Sequence, residues 1–149
     1  MLYHKLRKIK FFFLLATVLC FSACNLSTIG GLSNEPLEKS GTISSNEVWS
    51  GRIIVKGDVT VPEGATLTIQ PGTIVGFDTD AGKYKLTVNG TLYAEGNKNQ
   101  RITFASLAIE PKAEDWIGLV FGQSSLNSRL RFCRFMHYDE MLCNTDSLK

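Results

Sequence analysis

The sequence predicts an all-β solenoid, and three observations carry the prediction. Residues 59–77, VTVPEGATLTIQPGTIVGF, are echoed by residues 86–104, LTVNGTLYAEGNKNQRITF. Equivalent apolar positions recur 27 residues apart from Val59 to Leu86, 25 from Leu67 to Leu92 and 28 from Ile74 to Ile102. Those offsets fall in the window of roughly 20–50 residues that marks stacked repeats. Within each copy, short apolar segments alternate with Gly-containing turns, and no segment has a convincing helical period.

The N-terminus is set apart from this pattern. Lys5, Arg7, Lys8 and Lys10 precede an apolar run at 11–21 that ends in small residues, as in a secretory signal. Eleven residues rise roughly 16 Å as a helix, about half of a ~30 Å hydrocarbon core, so a spanning helix is the weaker alternative. Phe21-Ser22-Ala23-Cys24 resembles the bacterial lipobox, with Phe21 where Leu is usual. That resemblance implies cleavage before Cys24 and acylation of its thiol and new amine. Each buried CH₂ contributes roughly 0.8 kcal/mol, so two or three acyl chains suffice for anchoring.

Removing residues 1–23 takes away four basic residues, leaving 16 − 4 = 12 Lys and Arg against 14 Asp and Glu. The mature chain is mildly acidic, and nothing supports nucleic-acid binding. Residues 25–46 are rich in Ser, Gly and Asn and read as a flexible tether with a reach of roughly 25 Å. The alternative for part of it is that Leu37 to Ile43 packs as a cap on the first coil. The expected division is therefore a signal at 1–23, the lipidated Cys and tether at 24–46, and the coil domain at 47–149.

Short strands are expected at 53–55, 59–61, 67–69, 73–77, 86–88, 91–94, 102–104, 119–121 and 130–132. Alternation places Thr60, Thr68, Thr87 and Thr103 on outer faces, where a β-branched side chain with a wet hydroxyl suits an extended backbone. Asn89-Gly90 is a strong hairpin signal and raises an antiparallel sandwich as a rival. The equivalent turn in the first copy, Pro62-Glu63-Gly64-Ala65, differs in length and chemistry yet leads into the matching strand. A corner between faces of a coil tolerates that variation, whereas a two-residue hairpin fixes register. The solenoid is the stronger prediction.

Residues 59–77, then LTVNGTLYAEG at 86–96, ITF at 102–104 and EDWIGLVF at 114–121, resemble the opening coils of right-handed parallel β-helix proteins of bacterial surfaces, of pectate-lyase-like fold. The resemblance covers roughly residues 48–143, with Ile117 where that family usually has Gly. It implies about three coils with three faces each: 59–61, 67–69 and 74–77 in the first, 86–88, 92–94 and 102–104 in the second. The third starts at Leu119, after a loop at 105–115 of the kind on which solenoids carry binding surfaces. The last residues, Asp146-Ser-Leu-Lys149, read as the start of another strand. The coil domain is thus expected to be incomplete at its C-terminus, a truncated gene product open to self-association through its last coil.

Polysaccharide lyases of this fold use acidic Ca²⁺ ligands and a basic residue as proton acceptor. Asp58, Asp78, Asp80 and Asp115 fall at corners or loops, and Arg52, Arg129, Arg131 and Arg134 are candidates for a groove. Nothing in the sequence ties them together, so no catalytic residue, metal site or cofactor is assigned. Asp78-Thr-Asp-Ala-Gly82, with Asn89 at the twelfth position, reads as a plain turn. His137 reads as an exposed turn residue. Trp49 and Trp116 adjoin strand starts, where packing is commoner than sugar stacking. Arg129, Arg131 and Arg134 read as a solvated outer face. Cys133 and Cys143 read as core residues, with a disulfide as the alternative in an exported chain.

The expected function is a membrane-anchored envelope lipoprotein with a structural, adhesive or surface-binding role, held through Cys24 and meeting a glycan or a cell-surface protein. The alternative is a carbohydrate-active enzyme or its remnant. Asn25 lacks the Asp that marks inner-membrane retention, which points to the outer membrane or cell surface.

Overall fold

Residues 35–139 and the backbone of Leu142 and Cys143 are described by the structure, a computed structural model. The signal segment and Cys24 lie outside the described residues, as do residues 144–149. Twelve strands follow one another: β1 (Leu37–Thr42), β2 (Glu47–Trp49), β3 (Arg52–Val61), β4 (Thr66–Ile69), β5 (Ile74–Phe77), β6 (Lys85–Val88), β7 (Thr91–Glu95), β8 (Ile102–Ser106), β9 (Gly118–Phe121), β10 (Arg129–Arg131), β11 (Cys133–Phe135) and β12 (Leu142–Cys143). Every strand pairing is parallel.

The strands stack as three faces of a parallel β-helix. One face is β2, β4, β7 and β10; the second is the first half of β3 with β5, β8 and β11; the third is the second half of β3 with β6, β9 and β12. The described residues therefore make four turns, preceded by β1 as a leading rung on β3. Sequence repeats predict about three. The extra turn is the first, β2 with the first half of β3: the sequence predicts no strand at 47–49 and gives 53–55 no place in a coil, whereas β3 runs unbroken through the corner as ten residues. Leu37 to Ile43 follow the capping alternative: β1 pairs with β3, and Ile43 is buried.

Inward positions form apolar columns. Val59 pairs with Leu86 and Leu67 with Leu92, as the offsets of 27 and 25 predict. The third offset slips by one residue: Ile74 pairs with Thr103, and Val75 with Phe104. Val75 is inside and Ile74 is 46% exposed. Each fully buried Val, Leu or Ile contributes roughly 1.5–3 kcal/mol. Thr60, Thr68, Thr87 and Thr103 are half-exposed between buried neighbours, as alternation requires.

Corners explain the turn chemistry. Asn89-Gly90 joins β6 to β7, which belong to different sheets, so the hairpin rival is excluded. The Asn89 and Gly90 amides both donate to Val61 O in the coil before, and Gly122 N donates to Val88 O. Gly64, in the first copy of this corner, has φ +78°, a conformation that favours glycine. Aromatic rings stack along the helix axis as well. Phe77 and Trp116 lie 3.9 Å apart at 12°, and Phe104 and Phe135 lie 4.9 Å apart at 7°.

Candidate functional site

The chain departs from its short corners twice in succession at one place. Between β5 and β6 it detours through residues 78–84, and between β8 and β9 through residues 107–117. Phe77 and Ser106, the last residues before the two detours, are register partners, so the loops are stacked neighbours. Between them lies an open cleft of about 580 Å³, lined in part by Thr79, Lys83, Glu110, Lys112, Glu114 and Asp115.

The larger loop is anchored at both ends. Leu107 folds onto the outer face of β5, above Gly76, where a Cβ would come within 2.4 Å of it. At the other end Trp116 is fully buried, stacked on Phe77, and its indole N–H donates to Met136 O at 2.8 Å. Ser106 Oγ accepts from Ala108 N at 3.0 Å, and its hydroxyl also donates to Asp115. Asp115 accepts from Lys112 N at 3.0 Å. One serine and one aspartate thereby close the loop on itself.

One ion pair spans the cleft. Lys83 Nζ lies 3.7 Å from Glu114, across the two loops. The hydrogen bonds from Ser106 and from the Lys112 amide hold the Asp115 carboxyl below the usual carboxylate range; burial opposes them more weakly, and the neighbouring Lys112 and His137 side chains add smaller electrostatic contributions in the lowering direction. Asp115 is thus an ionised acceptor at neutral pH. The cleft offers ionic and hydrogen-bonding contacts to a polar ligand.

The other residues singled out in the sequence are dispersed. Asp78 Oδ1 accepts from Asp80 N at 3.1 Å, an ordinary Asx turn, while Asn89 sits at another corner. Asp58 accepts from the Lys85 amide on the rung beside it. Among the described residues no three His, Cys, Asp or Glu side chains are grouped to hold a metal ion. Arg129 and Arg131 share β10, but Arg134 lies on β11, on a different face, after a sharp turn at Phe132 with φ +50°. The three arginines are solvated, as expected, but they do not share one outer face. Arg52 shares an outward column with Ile74, Thr103 and Arg134.

Both tryptophans are fully buried, so neither presents its ring to a sugar. Trp49 N–H donates to Glu47 at 2.9 Å. His137 is half-buried rather than an exposed turn residue, because its carbonyl accepts from Asp115 N and seats the segment against the loop base. Its φ is +63°. Cys133 is a free, half-buried thiol on β11, and Cys143 lies on β12, on another face.

Sequence reasoning singled out the loop at 105–115 but not its stacking on residues 78–84. The signal was present, since both interruptions follow the third segment of consecutive repeats. Residues 41–133 match a family model described as a pectate-lyase like beta helix domain. No curated protein and no solved structure matches the chain.

Proposed function

The chain belongs to the pectate-lyase-like β-helix family, the matched residues 41–133 forming most of its coils, and we propose, from its N-terminal sequence and its outer surfaces, that it is a membrane-anchored envelope lipoprotein with a structural or adhesive role. Cys24 is the anchor, and the coils are a rigid body that meets a glycan or protein at the cell surface without chemical turnover. The observation that carries this is the state of the corner cleft. One ion pair, Lys83 with Glu114, crosses the two loops, and Asp115 is held within the larger loop by Ser106 and the Lys112 amide.

The outer faces support the same reading. Val48, Thr68, Tyr93 and Arg129 follow one another in register up one face, which gives a flat surface of mixed apolar, hydroxyl, aromatic and cationic character. Tyr93 there is half-exposed and able to stack against a sugar ring. The residues between Cys24 and β1 then act as the tether that holds this surface away from lipid head groups.

Metabolic labelling with an alkyne-palmitate tests the anchor. Incorporation into the chain and its loss in Cys24→Ala is the expected result, and equal labelling of both would refute lipidation. Incubation with polygalacturonate or alginate and added Ca²⁺ tests the absence of turnover. Product formation abolished by chelation would replace the structural role with a lyase activity.

A further inference from the structure

All five arginines among the described residues lie on the first two faces or at the corner between them, and all five are exposed. Arg129 and Arg131 flank Leu130 on β10, in register with Tyr93 and Glu95. Arg52 and Arg134 belong to the outward column of the second face, three rungs or roughly 14 Å apart along the axis. Arg101 precedes Ile102, the partner of Cys133, so it lies beside Phe132, which is 40% exposed. The four ion pairs among the described residues are all made by lysines, and none takes up an arginine.

Charge is therefore segregated around the coil. The edge between the first and second faces, residues 50–52, 70–73, 95–101 and 129–134, carries six cations against one acid, Glu95. The corner between the second and third faces, residues 56–58, 78–84 and 107–117, carries three lysines against six acids. From Cys24 onward, the residues outside the described part add only Glu140 and Asp146 as acids, too few to neutralise five arginines. Past its signal the chain is mildly acidic, yet it keeps these arginines together on one side, where their summed field favours an anionic partner.

We infer that this edge docks a phosphate-bearing glycan, an inference that rests on the surface-binding role proposed above and names its ligand. Guanidinium groups, unlike ammonium groups, form planar forks that bond an oxyanion through two parallel N–H donors. One such fork fills the two oxygens of a carboxylate. A phosphate ester offers three oxygens and nearly two charges, so it accepts forks from both sides of a corner. Arg131 and Arg134 stand on either side of the sharp turn at Phe132. The edge is convex and its arginines are spread over several rungs, which suits a run of anions on one chain better than a single small ion. Its apolar groups stand singly among polar neighbours, Ile74 between Arg52 and Thr103, and Tyr93 between Thr68 and Arg129. Tyr93 and Phe132 offer rings for sugars to stack on, while the edge lacks the contiguous apolar centre of a protein interface.

Binding of the full chain, purified in detergent, to immobilised dextran phosphate tests this. The parent should bind and be released by salt, since exposed charges are screened. Arg101→Gln, Arg131→Gln and Arg134→Gln together should weaken binding at least about tenfold. Lysine at the same three positions should restore only part of it, because the charge returns without the fork. All three arginines are exposed, so these variants should unfold in urea with the parent. Lys83→Gln, Lys85→Gln and Lys112→Gln, which remove the same charge from the third face and the acidic corner, should change binding little. Equal losses in the two glutamine variants would show an effect of net charge alone, and full recovery with lysine would show a diffuse field; either overturns the proposal. So would binding to unmodified dextran or polygalacturonate as tight as to dextran phosphate. Displacement by inorganic phosphate, polyglutamate or phosphatidylglycerol micelles that matches displacement by soluble dextran phosphate would assign the edge to another ligand and overturn it too. The inference and the reading beneath it fail separately. A palmitate-labelled chain that ignores dextran phosphate refutes the inference alone, whereas Ca²⁺-dependent products from polygalacturonate refute the surface-binding role.

Discussion

Gly90 rests directly on the backbone of Ala65: a Cβ at position 90 would lie 2.3 Å from Ala65 O and equally close to Pro62 O. The contact arises because Thr91 N donates to Ala65 O and Gly90 N to Val61 O, which draws the corner of one coil onto the turn of the coil before. Backbone atoms held by hydrogen bonds cannot move aside as a flexible side chain can. Gly90→Ala should therefore lower stability by about 2–3 kcal/mol in urea unfolding. Gly64→Ala meets nothing within 4 Å but adopts φ +78°, so only the left-handed backbone opposes it, at about 1–2 kcal/mol. A larger loss at Gly64 than at Gly90 would mean that the stacked corner is not the tight contact.

Glu47 occupies an inward position at the N-terminal end, in register with buried Leu67, yet it is a carboxylate. Burial acts to raise its pKa, but the hydrogen bonds from Lys39 and Trp49, with the Lys39 charge, outweigh it and lower the pKa from 4.5. A depressed folded pKa means a stabilising contribution that is present in full above the unfolded value of 4.5 and lost as pH falls through the folded one. Glu47→Ala, which strands the Trp49 N–H, should lower stability by about 1–2 kcal/mol at pH 7. Glu47→Gln should lose less, and its difference from the parent should shrink as pH drops below 4.5. A difference that is constant across that range would exclude an ionised Glu47 as its source.

The coil architecture was legible wherever one face of a strand is apolar and the other polar. Val59, Leu67, Leu86 and Leu92 are flanked by threonines or by polar turns, and their register follows from spacing alone. The pattern fails at Ile74-Val75-Gly76-Phe77, because both faces there are apolar. Leu107 covers Gly76 from outside, so two interleaved sets compete, and spacing alone favours the exposed Ile74 over the buried Val75. β1 is hidden for the opposite reason. As an end rung it is mostly exposed and held largely by backbone pairing with β3, so its sequence, LEKSGT, carries almost no apolar signal. The cleft was half legible. A loop's presence can be read from an interruption, but the pairing of Lys83 with Glu114 depends on which loops the coil brings together, and the contact of Ser106 with Asp115 on how the larger loop folds back.

The clasp formed by Ser106 and Asp115 should control access to the large loop. Ser106→Ala removes one acceptor for Ala108 N and one donor to Asp115, and Asp115→Asn weakens the acceptor for Lys112 N. Either change should raise the rate of tryptic cleavage after Lys112 several-fold, with little change in global unfolding. The lowered Asp115 pKa means that the closed loop is favoured above the carboxyl's ordinary value of 3.8 and released as pH falls below it. Pepsin susceptibility of the loop should therefore rise steeply at the acid end of its working range. Equal tryptic rates in the parent and both variants would show that the loop is held elsewhere, by Leu107 or Trp116.

Cys133 should be an unreactive thiol in the folded chain. Burial pushes its pKa up from 9.0 to about 11, and its sulfur points at Ala94 O at 3.3 Å, a carbonyl that disfavours a thiolate. At pH 8 a thiol of pKa 9.0 is about one-tenth ionised and one near 11 about one-thousandth, so alkylation by iodoacetamide should be on the order of a hundredfold slower than for an ordinary cysteine. With Cys20, Cys24 and Cys143 replaced by alanine, that slow rate should hold in buffer and give way to the ordinary rate in denaturing urea. Fast labelling in buffer would mean that β11, at the end of the stack, frays from β8 and leaves Phe104 without the cover of Phe135. In that event the stack would end effectively at β8, and the loop base that His137 and Met136 hold through Asp115 and Trp116 would loosen with it.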